Sequence, residues 1–302
     1  MEPIRIACVE YLNTAPLVAG LDAVEGLTLL PTVPADIGAM VEQGQADLGL
    51  ASIVDVARAR EPLAIVPAGM IGCAGPTLTV RLFSTVPMER IAVLCADADS
   101  HTSVVLAQLL LAELYDARPA VVPFDARERV PVGRAPSQPI DQDQEGWPGT
   151  LLLIGDKVVT HSPPAVRYPY QMDLGEAWHR HTGLPFVYAA WACRASMLED
   201  PQQRRRLQVA AAMLDRQRRH NATRLDWLAR HWAERARWPT DLAQQYLGQL
   251  LRYEFGRREA QAVEAFFRMA GERGLLHADP PRIAWLEPPA PMPAQASATG
   301  SR

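Results

Sequence analysis

The sequence predicts an α/β protein of two domains, with a ligand cleft between them and a helical segment at its carboxyl end. Three observations lead there. Strand and helix signals alternate through the first half, two strand-like runs near Phe83 and Phe186 each join segments of different kinds, and residues 201–274 are almost entirely helical in pattern. A chain of 302 residues is long enough for two domains and a sizeable core.

The first strand is the apolar run at residues 4–9, followed by a short helix at 16–21 and a second strand, LTLLPTV, at 27–33. In ADIGAMVEQGQ, Ile37, Met40 and Val41 recur at helical spacing, and Gly44 stands where a helix stops. ADLGLAS at 46–52 is too apolar for a solvated face and reads as a strand buried on both sides. This βαβαβ order implies a parallel sheet with right-handed crossovers. A long strand at 77–85 comes next, then a strand-to-helix junction in IAVLCADADSHTS and a strongly apolar helix at 102–115. Strands follow at 120–124 and 150–159; between them residues 125–148, rich in proline, glutamine and charge, read as an exposed loop. MDLGEAWHRHTG forms a short helix and LPFVYAAWACR, at 184–194, a strand. Crossings near Phe83 and Phe186 then divide the chain into a discontinuous first domain (1–85 and 187–287), an inserted second domain (86–186) and a disordered tail (288–302). In such an architecture the ligand lies in the cleft, outside the carboxyl ends of the strands.

Apolar residues make up 48% and charged residues 21% of the chain, the profile of an ordinary globular protein. A net charge of −4 argues against a nucleic-acid partner. The arginines at 204–219 keep apolar positions at helical period between them, as a solvated helix face does. Lys157 is the only lysine beside 29 arginines, which reads as a compositional bias of the genome. Cys8, Cys73, Cys95 and Cys193 are scattered singly in apolar stretches, the pattern of buried free thiols in a reducing compartment. No leader is read before the first strand and no apolar run is long enough to span a membrane, so the expected location is the cytoplasm. Composition leaves the oligomeric state open.

Chemistry is expected at the strand–helix junctions, where free backbone N–H groups suit an anion. In VEYLNTAP, residues 9–16, the side chains of Tyr11, Asn13 and Thr14 stand together; Asn13 and Thr14 either cap the helix or hold a substrate. DADSHTS, residues 97–103, repeats the arrangement with Ser100, Thr102 and Ser103, more hydroxyls than a single cap needs. Each junction falls in a different domain, so closing the cleft would bring two anion-binding helix ends together, a geometry suited to a dicarboxylate. Gly155 and Asp156 end an apolar strand, where Asp156 is a ligand, a base or a cap. Ser52 ends another strand as cap or ligand contact, and Thr79 faces either cleft or core. His101 reads as a solvated loop residue beside the hydroxyls. His179 and His181, at i,i+2 spacing, point to different sides of a helix and predict no metal site. P-loop, G-x-G-x-x-G and G-x-S-x-G patterns are absent.

YLNTAPLVAGL, ADLGLASI, GPTLTVRLFS, DADSHTSVVL, LLLIGDKV and DLGEAWHRHTGLPFVYAAWACR follow one another in an order that resembles the chorismate dehydratase family of the futalosine route to menaquinone, from about Arg5 to Leu276. The combination of YLN-x-x-P, S-x-T-S and TGLPFV carries the resemblance; any one alone is weak. It implies a type II periplasmic-binding-protein-like fold used as a cytoplasmic enzyme, a hydro-lyase. The implied reaction converts chorismate to 3-[(1-carboxyvinyl)oxy]benzoate and water, with no metal or redox cofactor. Asn13 and Asp156 are then the candidate catalytic residues. Tyr11, Thr14, Ser52, Thr79, Ser100, Thr102, Ser103 and Gly155 are candidate substrate contacts. Asn13 orients the substrate, and the proton passes to Asp156 or to the substrate's own enolpyruvyl carboxylate. Three features depart from the family pattern: Glu10 before Tyr11, Asp99 where a second serine is common, and the loop at 125–148. Two alternatives share the fold: the sister enzyme forming 1,4-dihydroxy-6-naphthoate, which lacks YLN-x-x-P, and a non-catalytic small-anion binding protein.

Overall fold

The structure, a computed structural model, describes residues 2–133, 140–276 and 279–287; the tail expected at 288–302 lies outside them. Two mixed sheets with flanking helices make up the fold. In the first, β1 (Ile4–Cys8) pairs in parallel with β2 (Leu27–Pro31) and β3 (Leu48–Ser52), connected by α1 (Ala15–Val18) and α2 (Pro34–Glu42). The parallel pattern stops there. After α3 (Ile53–Arg58) comes β4 (Leu63–Cys73), and β11 (Phe186–Arg194) inserts antiparallel between β3 and β4.

The second sheet is built from β5 (Val80–Ser84), β6 (Val93–Asp97), β7 (Ala120–Asp125), β8 (Val130–Pro131), β9 (Thr150–Ile154) and β10 (Tyr170–Asp173), in the order β10–β5–β9–β6–β7–β8. Its helices are α4 (Thr102–Tyr115), α5 (Lys157–Thr160) and α6 (Leu174–Thr182). The carboxyl-terminal segment adds α7 (Pro201–Ala222), α8 (Leu225–Ala236), α9 (Thr240–Gln245) and α10 (Arg257–Glu272), with short strands β12 (Leu251–Arg252) and β13 (Arg282–Ile283) pairing on β4.

Burial explains the helix positions. Leu106, Leu109 and Leu110 of α4 are fully buried where α4 meets α3 and α10. Trp178, Phe186 and Phe266 meet edge to face, with ring centroids 5.1 to 6.0 Å apart, and join α6, β11 and α10. Helix α7 starts at Asp200, whose carboxylate accepts from the amides of Gln202 (2.8 Å) and Gln203 (2.9 Å), with Pro201 in the first turn. Its buried Asn221 donates from Nδ2 to the carbonyls of Pro16 (3.2 Å) and Ala19 (2.9 Å). The arginine-rich helix thus turns its polar side outward and with its other face fixes the segment that carries Asn13.

Four sequence readings change. The run at 63–73, to which the sequence pattern assigns no element, is the longest strand among the described residues. Pro67, Gly69 and Gly72 disguise it, and a Cβ at Gly72 would stand 2.4 Å from the Phe186 carbonyl oxygen. The strand expected at 150–159 ends at Ile154, because Gly155 takes φ +60° and turns the chain into α5. Neither long strand crosses between sheets: β5 pairs within the second and β11 within the first, so the chain crosses at 74–79 and returns at 183–185. Finally, residues 125–148 contain β8 and a bonded turn in which the Gln142 amide donates to the carbonyls of Arg129 (3.1 Å) and Gly146 (2.6 Å), while 134–139 lie outside the described residues.

Asp173 organises the first crossing. Its carboxylate accepts from the amides of Thr77 (2.9 and 3.0 Å) and Leu78 (2.7 Å), and caps α6 through the Glu176 amide (3.1 Å). Leu78 sits at φ +70°, a left-handed conformation that is costly for a residue with a large side chain. The Thr77 hydroxyl lies 3.0 Å from the Tyr188 hydroxyl and ties the crossing to β11. Replacing Asp173 by Ala strips two amides and a helix cap of their acceptor, with an expected loss of about 2–4 kcal/mol, and Asp173→Asn, which keeps one acceptor oxygen, should lose less. Urea denaturation measures the difference; equal losses would assign the effect to the negative charge instead.

Candidate functional site

The carboxyl ends of β1, β3, β6, β7 and β9 converge on one cavity of about 160 Å³ between the two sheets. It brings together Tyr11, Asn13, Ser52, Thr79, Ser100, Thr102, Ser103, Gly155 and Asp156. Thr14 is the exception. It is fully buried, its hydroxyl lies 2.8 Å from the carbonyl oxygens of both Val9 and Tyr11, and it accepts from the Tyr11 amide at 3.1 Å. Thr14 therefore closes the turn and is not among the residues lining the cavity. With that task filled, the neighbouring Asn13 is left for the cavity. Its Oδ1 is buried and meets no donor among the described residues, an arrangement that native interiors rarely leave unexplained.

The three hydroxyls at the start of α4 have separate tasks. Ser100 Oγ accepts from the Ser103 amide (3.2 Å) in the turn that leads into α4. Thr102 Oγ1 donates to the Tyr188 carbonyl (3.1 Å) and lies 2.7 Å from Ser52 Oγ, so it bridges the second sheet to the first and is already engaged. Ser103 keeps its hydroxyl without a protein partner among the described residues. His101 is not simply solvated. Its Nδ1 stands 2.6 Å from Asp55 Oδ1 on α3, a second bridge across the cleft, and the hydrogen bond to Asp55 raises its pKa.

Opposite these groups, the Gly155 amide donates to the Thr79 carbonyl (2.8 Å), and Thr79 Oγ1 lies 2.7 Å from the Tyr246 hydroxyl in the carboxyl-terminal segment. Asp156 occupies the cap position of α5 but makes no side-chain cap bond. Burial pushes its carboxyl above the usual range, against the nearby Trp238 indole and Arg127. The Trp238 N–H nevertheless has no partner at bonding distance and angle.

Lys157, which composition disguised, stands at the cavity wall. Its ammonium, with the side chain 9% exposed, donates to Asp97 Oδ1 (2.6 Å) and Asp99 Oδ2 (2.7 Å) at the cavity wall. Burial pulls the Lys157 pKa down, but the charges and hydrogen bonds of Asp97 and Asp99 outweigh it and leave it raised. For Asp97 burial wins and holds the carboxyl above its usual range despite Lys157. The departure at Asp99 is therefore not a bare charge in an anion site; it is neutralised from α5. A lone lysine in a chain that otherwise uses arginine was the available signal: its compact ammonium donates to two carboxylates at once.

A sequence profile of the menaquinone biosynthesis family matches residues 4–272. The chain belongs to that family. The chorismate dehydratase of Thermus thermophilus is 27% identical over 291 residues, covering 90% of this chain and 96% of that one. In three dimensions this family member is similar to a Candida albicans protein described as having the generic periplasmic binding protein fold (TM-score 0.61, 8% identity, 90% and 91% of the two chains). It is also similar to the periplasmic aliphatic sulphonate binding protein of Escherichia coli (TM-score 0.59, 11% identity, 92% and 95%). The fold is thus the two-domain type II periplasmic-binding-protein-like fold, with the cleft between domains and a helical carboxyl-terminal segment. No helix among the described residues is long and apolar enough to cross a membrane.

Lys157→Met leaves Asp97 buried without its partner, and the expected loss is about 3–5 kcal/mol; adding Asp97→Asn should recover part of it in a denaturation double-mutant cycle. The Asp55–His101 bridge is pH-dependent. Because the folded pKa of His101 lies above its unfolded value of about 6.5, the bridge contributes fully below that pH and fades as pH rises through the folded value. A proton NMR titration of His101 in wild type and Asp55→Asn checks this: the variant's pKa should fall back toward the unfolded value.

Proposed function

We propose that this protein is a chorismate dehydratase acting in the futalosine route to menaquinone in the cytoplasm, eliminating water from chorismate to form 3-[(1-carboxyvinyl)oxy]benzoate. The observation that carries the reading is the Asn13 amide oxygen, buried in the cavity wall without a protein donor. The family membership and the Thermus thermophilus relative support it. A vacant acceptor in the same cavity as a half-buried carboxyl group and an anion-suited helix end matches a substrate that offers one hydroxyl and two carboxylates.

In this mechanism the amino end of α4, with the Ser103 hydroxyl, receives the ring carboxylate. The ring C–H next to the hydroxyl-bearing carbon is conjugated through a ring double bond to that carboxylate, so charge moves onto it as the proton leaves. The enolpyruvyl carboxylate, attached through oxygen to the same carbon, takes the proton without a protein base. Asn13 Oδ1 accepts from the ring hydroxyl and turns its oxygen toward Asp156. Burial already raises the Asp156 pKa, and an arriving dianion raises it further, so Asp156 enters as the acid and protonates the departing hydroxyl. The proton on the enolpyruvyl carboxyl returns to Asp156, and the balance is one water lost and one benzene ring gained. Positioning and exclusion of water supply the rest of the acceleration.

Incubation with chorismate should give a product lighter by one water in the mass spectrum; bound chorismate recovered unchanged would identify a binding module instead. Asn13→Ala is expected to keep its fold and lose about 10²–10³ in kcat, by comparison with other preorganised polar contacts. Asn13→Asp should lose more, since it sets a charge beside a dianion. The wild-type rate should fall as pH rises through the raised pKa of Asp156, and Asp156→Asn should remove that limb together with most of the activity. Near-wild-type turnover by Asp156→Asn would rule out its role as acid.

A further inference from the structure

The cavity of a protein that takes a dianion should contain a cation that no protein carboxylate already claims. Lys157 is shared between Asp97 and Asp99, and His101 is held by Asp55. The remaining cation on the wall is Arg127, whose guanidinium makes no hydrogen bond or ion pair among the described residues. Arg127 follows β7, and β7 is the parallel neighbour of β6, which leads into α4. Adjacent strands lie roughly 5 Å apart, so a guanidinium at the end of one and a helix terminus at the end of the other can meet the same carboxylate.

We propose that Arg127 is a substrate-binding residue that pairs with the ring carboxylate, together with the amino end of α4. The assignment to this carboxylate rests on the proposed dehydration: charge accumulates there as the proton leaves, whereas pairing the enolpyruvyl carboxylate would lower the basicity it needs. A guanidinium presents two parallel donors to a carboxylate and strengthens as the charge on that group grows. Arg127 thereby contributes to kcat as well as to affinity. It also gives the 125–148 segment a function, since the turn after β7 carries the residue to the cavity mouth.

Two monoanions separate the carboxylates: 3-methoxybenzoate carries only the ring group and phenoxyacetate only the side-chain group. By titration calorimetry, Arg127→Ala should bind 3-methoxybenzoate roughly 10- to 100-fold more weakly than wild type and phenoxyacetate equally well. With chorismate, kcat/KM should fall by a comparable or larger factor, shared between kcat and KM, and Arg127→Lys should restore part of it. Arg127 is exposed, so the variants should unfold at the wild-type temperature. Unchanged 3-methoxybenzoate affinity in Arg127→Ala, equal weakening of both probes, or failure of wild type to bind 3-methoxybenzoate each overturns the proposal. If wild type converts chorismate while Arg127→Ala binds 3-methoxybenzoate normally, the dehydratase reading stands and the Arg127 assignment falls. If wild type leaves chorismate unchanged but loses 3-methoxybenzoate selectively on Arg127→Ala, the site stands and the reaction falls.

Discussion

One carboxylate holds the place where the chain leaves the first sheet. Asp173 gathers the amides of Thr77 and Leu78 and at the same time starts α6, the helix that leads back to β11. Both connections between the sheets therefore depend on a single side chain. Leu78 retains its left-handed backbone only because surrounding bonds over-determine it. The consequence reaches the site directly: Thr79, one residue further, meets Tyr246 and accepts the Gly155 amide, so the floor of the cavity and the turn that presents Asp156 are set by the same crossing.

Electrostatics at the cavity follow from that frame. Carboxylates withdrawn from water are costly unless paired, and the structure pairs those around the cavity unequally. Asp97 and Asp99 share one ammonium, Asp55 has an imidazole, and Asp156 has no ion pair among the described residues. The group without an ion pair is one that burial raises, against the Trp238 indole and Arg127, and it lines the same cavity as Asn13. A fully neutralised wall would bind an anion well but would hold no proton ready to transfer.

The strand–helix junctions were legible because both consist of an apolar strand followed by small polar residues, a pattern with a physical cause in helix capping. The helix at 102–115 was read to its ends for the same reason. What failed was what periodicity cannot carry. β4 has proline and glycine where a strand should have branched side chains, since the close approach of the Phe186 carbonyl admits no Cβ at Gly72. TLLLIGDKVV reads as one strand, because nothing but Gly155 marks the point where the backbone turns. Thr14 and Asn13 are chemically similar capping residues, and only the position of the Val9 carbonyl decides which one closes the turn and which faces the cavity. Lys157 is visible as a count, but its pairing is not, because its partners Asp97 and Asp99 lie far away in sequence. Arg127 sits in a segment without periodicity, and its relation to α4 exists only through the pairing of β6 with β7.

The same architecture is found in a sulphonate-binding protein, so in the proposed dehydratase the step from binding to catalysis lies in a few side chains rather than in the fold. Binding alone is served by groups that satisfy the ligand's ground state: helix amides, hydroxyls, a cation at the rim. Catalysis requires groups that gain more as the reaction proceeds than they gain on binding. A neutral carboxyl beside a leaving hydroxyl has that property, since its proton is worth more to the departing oxygen than to the bound alcohol. A cation on the ring carboxylate has it too, because the charge it faces increases along the reaction. In the proposed reaction an acceptor such as Asn13 gains little itself, but without it the hydroxyl would be free to rotate away from Asp156. The three contributions are therefore coupled: the acid works only on an oriented hydroxyl, and orientation matters only if the charge left on the ring has a place to settle.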